Sequence, residues 1–141
     1  MMTEAKNAQI LLVEDSEDDA FFFRRTLQKS GLTCSLTHVT DGGQAVEFLE
    51  NAASNPENLP HTIFLDLKMP VLNGFEVLEW IRSQSLPSAL HVIVLSGSEH
   101  EADKQRAAEL GAAAYLVKPV RVGDLHRFLQ DICPGEMGAR V

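Results

Sequence analysis

The stretch Gln9-Ile10-Leu11-Leu12-Val13-Glu14-Asp15 decides how the rest of the chain is read. Ile10 to Val13 are apolar at every position, without the alternation of a strand that has one wet face. Such a run reads as a strand of a parallel sheet, buried on both faces. Two acids follow at once, so the buried segment ends in charge. Glu17 to Ser30 then has helical spacing, and Gly31 stands where that helix should stop.

The same strand-helix unit recurs four more times. Strands are expected at Ser35–Val39, Thr62–Leu67, His91–Leu95 and Ala114–Lys118. Helices are expected at Gly42–Ala53, Phe75–Ser83, Glu99–Leu110 and Val122–Ile132. Strict alternation of this kind gives an α/β fold, a parallel sheet with helices on both faces. Ser16 with Asp19, Asp41 with Gln44, and Ser98 with Glu101 have the spacing of capping boxes. Gly111 is a second helix stop. Asn51 to Pro60 is polar, holds two prolines and reads as an exposed loop. On the first helix, Phe22, Phe23 and Leu27 are expected to share the buried face. Phe21 then points elsewhere, either as a partly exposed aromatic or as a contact for a partner or a second copy.

With 141 residues the chain suits one domain. The division expected is a flexible N-terminus at 1–8, a single domain at 9–133 and a flexible tail at 134–141, with no second domain after Cys133. The net charge of -8 and the lack of a basic run exclude non-specific nucleic-acid binding, which needs clustered Lys and Arg. Apolar runs are strand-sized, so no membrane span is expected, and the polar start carries no signal segment. Cys34 and Cys133 lie far apart in no ligand pattern and read as reduced thiols of a cytoplasmic protein. The five histidines have no metal-ligand spacing.

In a parallel sheet with right-handed crossovers, every strand ends along one edge, and ligand sites form there. The polar residues that end strands are therefore the candidates: Glu14 and Asp15, Asp66, Ser96 and Lys118. Each has a plainer reading when taken alone. Glu14 and Asp15 can be acids at a helix start, Ser96 a turn residue, and Lys118 a surface amine whose stem covers apolar atoms. Asp66 is harder to dismiss, because an acid within Ile-Phe-Leu-Asp-Leu is costly to bury unpaired. Three converging carboxylates repel one another, and Mg²⁺, which takes oxygen ligands and few carboxylates, resolves the conflict. A carboxylate nucleophile beside Mg²⁺, an ammonium and a hydroxyl is equipped for phosphoryl transfer. Glu17, Asp18 and Asp19 read as helix-start charge, with Asp19 also serving as cap partner of Ser16.

These pieces resemble the receiver domain of two-component response regulators. The matching segments are Leu12-Val13-Glu14-Asp15, Phe64-Leu65-Asp66-Leu67-Lys68-Met69-Pro70 with Asn73-Gly74, Val94-Leu95-Ser96-Gly97, Gly111-Ala112, and Tyr115-Leu116-Val117-Lys118-Pro119. They stand in the family's order and cover roughly Gln9 to Cys133. The resemblance implies a flavodoxin-like fold with strand order 2-1-3-4-5. It implies Asp66 as phosphoacceptor, with Mg²⁺ held by Glu14, Asp15, Asp66 and the backbone carbonyl of Lys68. Ser96 matches the switch hydroxyl, Tyr115 the switch aromatic and Lys118 the family's lysine. The Lys118–Pro119 bond is expected to be cis, and Gly97 matches a position that leaves the acceptor accessible. The implied donor is a histidine kinase or a histidine phosphotransfer protein, and the output is contact with a downstream protein, with a homodimer allowed. Val-Glu-Asp-Ser-Glu-Asp-Asp and the long loop before the third strand look most like single-domain regulators paired with phytochrome-type kinases.

Two rivals carry different chemistry. A Mg²⁺-dependent phosphohydrolase with Asp66 as nucleophile would want a second Asp two residues on, where Lys68 stands. A receiver-shaped binding module that takes no phosphate would have no use for the full set Glu14, Asp15, Asp66, Ser96 and Lys118.

Overall fold

The computed structural model describes residues 8–84, 86 and 90–130. Five strands run β1 Ala8–Val13, β2 Cys34–Val39, β3 Thr62–Asp66, β4 His91–Ser96 and β5 Ala114–Val117. Five α-helices alternate with them: α1 Glu17–Ser30, α2 Gly42–Ala53, α3 Gly74–Ser83, α4 Glu101–Glu109 and α5 Val122–Leu129. The strands are all parallel, in the order β2-β1-β3-β4-β5. This is the flavodoxin-like order that the resemblance implied. Ala8, expected in the flexible N-terminus, instead opens β1; the rest of the expected flexible ends, Cys133 and residues 131–132 of the expected last helix lie outside the described residues.

Alternation along the strands divides the core into two halves. Ile10, Leu12, Phe64, Ile93, Leu95 and Leu116 pack toward α1 and α5, against Ala20, Phe23, Leu27, Leu125 and Leu129. Leu11, Val13, Ile63, Leu65, Val92 and Val94 pack toward α2, α3 and α4, against Ala45, Leu49, Val77, Leu78 and Ala107. Phe23 and Phe64 meet at a ring-centroid distance of 4.9 Å in a tilted pair. Truncating either to Ala would cost about 3–5 kcal/mol.

The helix starts show why the chain turns where it does. The Ser16 hydroxyl accepts from the Asp19 N–H and the Asp41 carboxylate from the Gln44 N–H. A capping box not anticipated joins Asn73 and Glu76 in both directions. Ser98 and Glu101 do not form one. α4 begins at Glu101 with His100 as its flanking residue, and the Ser98 hydroxyl instead accepts from the His100 N–H and donates to Asp103. The helix starts later than the charge pattern suggested, which leaves Ser98 two residues too early to cap it.

Two further expectations are corrected. Phe22 is not on the buried face of α1, where Ala20, Phe23, Thr26, Leu27 and Ser30 lie. Phe22 is 46% exposed and Phe21 59%. Burying Thr26 is made possible by its hydroxyl donating to the Phe22 carbonyl one turn back. The segment 51–60 is not simply an exposed loop. α2 runs into it as far as Ala53, a short 3₁₀ turn follows at Pro56–Asn58, and Leu59 is buried beneath it.

Candidate functional site

Register brings the strand ends level. Val13 pairs with Leu65, so Glu14 follows β1 at the height where Asp66 ends β3. Asp66 pairs with Leu95, so Ser96 is one step beyond it on β4. Ser96 pairs with Val117, and Lys118 follows. Period-2 alternation then sorts these residues by face. Glu14, Asp66 and Lys118 share the parity of the α1/α5 half of the core, whereas Ser96 and Tyr115 share that of the α2–α4 half.

The contacts agree with this sorting. Lys118 Nζ lies 2.8 Å from Glu14 Oε1, 2.8 Å from Asp19 Oδ2 and 3.5 Å from Asp66 Oδ1. Glu14 and Asp66 are buried, and Asp15 is exposed beside them. Carboxylate oxygens of Glu14, Asp15 and Asp66 come within 4.8 Å of one another, and no other group of this kind occurs among the described residues. Glu14 Oε2 also accepts from the Ser16 N–H, which fixes its side chain at the α1 entrance.

Burial pushes the Asp66 carboxyl up to about 7; the charge of Lys118 pulls it down, and the charge of Glu14 pushes it further up. Burial would lower the Lys118 ammonium, but hydrogen bonds to Asp19 and Glu14 and the charge of Asp66 outweigh burial and hold it above the ordinary lysine range. One ammonium thus serves several acids. Among the described residues no other cation is paired with Glu14, Asp19 or Asp66. Two buried carboxylates and a third at the rim, with one cation between them, make a donor set that fits a hard divalent ion.

On the other face, Ser96 is buried and its Oγ accepts from the Ser98 N–H at 3.0 Å. Its own proton is committed to no acceptor among the described residues. The Tyr115 hydroxyl donates to the Ser98 carbonyl at 2.9 Å, tying β5 to the loop after β4. The Lys118–Pro119 bond is cis. A methyl group added at Gly97 would meet nothing within 4 Å, so the chain is open there. At Gly74 it would come 2.5 Å from the Asp66 carbonyl, so only glycine lets α3 begin this close to the end of β3.

Asp19 is the residue that the sequence reading undervalued. It partners Ser16 through its N–H as expected, but its carboxylate also holds Lys118. No local pattern signals this contact, because Lys118 lies far along the chain, past the end of β5.

The response regulator receiver domain family matches residues 10–130. The chain belongs to that family. The receiver is 33% identical over 123 residues to the probable methanogenesis regulatory protein FilR2 of Methanothrix harundinacea, covering 87% of this chain and 79% of FilR2. Response regulator Rcp1 of Synechocystis is 34% identical over 124 residues, covering 87% of this chain and 84% of Rcp1. Several longer curated relatives are spanned for only 59 or 60% of their length. The Mn(2+)-bound form of Rcp1 superposes with a TM-score of 0.70 at 33% identity, covering 89% of this chain and 91% of that one. The bacteriophytochrome response regulator RtBRR gives 0.76 at 34% identity, covering 95% and 89%. The receiver therefore works in two-component phosphorelay signalling. Among the described residues no helix is long and apolar enough to cross a membrane.

Proposed function

We propose that the receiver accepts a phosphoryl group on the Asp66 carboxylate. The observation that carries this is the convergence of three carboxylates, from Glu14, Asp15 and Asp66, with the Lys118 ammonium 3.5 Å from Asp66. Glu14, Asp15 and Asp66, with the backbone carbonyl of Lys68, would hold Mg²⁺. When bound, that ion neutralises acid repulsion and the charge that gathers on a phosphoryl group in transfer.

The chain's own groups do the rest. An Asp66 oxygen attacks phosphorus, and the bond to the donor breaks as the new one forms. Lys118 supplies a point charge to the incoming oxygens, and Ser96 supplies its uncommitted proton. Drawing Ser96 toward Asp66 pulls on the Ser98 N–H that it accepts from, and through Ser98 on Tyr115. The loop after β4 and α4 are thereby biased toward a second arrangement. Gly97 leaves the acceptor open to its donor.

The donor is a phosphohistidine on a histidine kinase, of the phytochrome type, or on a histidine phosphotransfer protein. The output is protein contact through α4, β5 and α5 in the cytoplasm. The only reaction assisted is phosphorylation and dephosphorylation of Asp66 itself. Purified protein incubated with acetyl phosphate and Mg²⁺ should gain the mass of one phosphoryl group, and Asp66→Asn or EDTA should abolish the gain. An equal gain in Asp66→Asn would place the acceptor elsewhere.

A further inference from the structure

We propose that Asp19 is a positioning residue that competes with the phosphoryl group for Lys118. This rests on the reading of Asp66 as acceptor. An ammonium has three N–H donors. Here two make short bonds, to Glu14 and to Asp19 at 2.8 Å each, and Asp66 is left at 3.5 Å. Glu14 and Asp66 both belong to the carboxylate group suited to a divalent ion, and Asp19 does not. Asp19 is thus the one partner of Lys118 with no other work at the site.

The surroundings fit a tether on the α1 side. Lys118 and Asp19 line a cavity of about 410 Å³ together with Phe22, Phe23 and Pro119, and Asp66 is not among its lining residues. The Asp19 carboxylate holds the ammonium at this wall, short of the acceptor. A phosphoryl group on Asp66 must win Lys118 from it, so Asp19 slows acceptance and shortens retention. Its cap bond to Ser16 uses only the backbone N–H, so side-chain substitution leaves the start of α1 intact.

The test uses Asp19→Asn, Asp19→Glu and Asp18→Asn. Asp18 lines the same cavity, makes no ion pair with Lys118, and controls for lost charge. Intact mass would follow labelling by acetyl phosphate at saturating Mg²⁺. Asp19→Asn should label about five-fold faster than wild type, the scale of a half-exposed charge pair. Asp18→Asn should stay near wild type, and Asp19→Glu, which restores the carboxylate, should return toward it. In unphosphorylated protein, calorimetry should show Asp19→Asn binding Mg²⁺ more weakly than Asp18→Asn, because the released lysine moves onto Asp66. Labelling of Asp19→Asn at the rate of wild type or of Asp18→Asn, or more slowly, would overturn the proposal alone. Failure of wild type to label at all would overturn it together with the assignment of Asp66.

Discussion

The Lys118 ammonium stands 3.5 Å from Oδ1 of Asp66, although their strands, β5 and β3, are separated by β4. A long side chain at one strand end reaches over its neighbour to an acid at another. Ser96, at the end of β4 between them, carries a small side chain of the opposite parity. The acid cluster and the Ser96–Ser98–Tyr115 bonds thus occupy two faces of one sheet edge.

The buried Asp66 sets a pH dependence. Its carboxyl titrates at about 7 in the fold and at 3.8 in an ordinary setting. Between these values the native state keeps a proton that the unfolded chain has lost. Stability therefore falls as pH rises from about 4 to about 7 and is level above, a loss on the order of a few kcal/mol. Asp66→Asn removes the titration. Urea denaturation in EDTA should show its advantage over wild type growing from pH 4 to pH 7 and then holding. An advantage independent of pH would mean that burial does not hold the proton.

The same group should make divalent-ion binding release a proton. In the proposed ligand set all three carboxylates must be ionised, and below pH 7 Asp66 mostly is not. Mg²⁺ affinity should be about ten-fold weaker at pH 6 than at pH 8. Calorimetry in two buffers of different ionisation enthalpy should count close to one proton released at pH 6 and almost none at pH 8.5. Equal proton counts would contradict the raised Asp66.

Tyr115→Phe should loosen one loop and leave the acid site intact. It removes the bond to the Ser98 carbonyl, a loss of about 1 kcal/mol. The Ser98 and His100 N–H groups, held by Ser96 and Ser98 hydroxyls, should exchange faster in deuterium. Amides of α1 and α5, on the other half of the core, should not change.

The strands and their strand-end acids were legible because buried parallel strands and their charged stops leave an unbroken apolar run followed by polar residues, whereas the strand order came only from the family resemblance. Ile10 to Val13 and Ile63 to Leu65 both show it. Phe22 was misjudged because periodicity gives a buried stripe without its edges. Thr26 takes the inner position by satisfying its hydroxyl locally, which hydropathy cannot register. Ser98 was misjudged because capping spacing recurs by chance near any helix start, and only the register of α4 selects the real one. The reach of Lys118 to Asp19 spans 99 residues of chain and leaves no local pattern at all.

The loop from β3 to α3 carries a cost that one substitution should relieve. Val71 has φ 71, in the left-handed region, and it is 76% exposed. A β-branched side chain there crowds its own backbone, at a cost of about 1–2 kcal/mol. The Leu72 N–H donates to the Pro70 carbonyl at 2.8 Å across Val71, the bonding of a tight γ-turn. Asn73 follows and caps α3. The turn therefore sets where α3 begins, and Gly74 must then fit against the Asp66 backbone. Val71→Asn keeps a side chain that tolerates positive φ and loses little packing, so it should raise stability by about 1 kcal/mol. Val71→Gly should gain less, because glycine adds freedom to the unfolded chain. Thermal melts of both variants beside wild type would check the order Asn, then Gly, then Val. A melting point lowered in both would show that the packing of Val71, whose side chain stands beside Gly43 at the start of α2, outweighs its backbone strain.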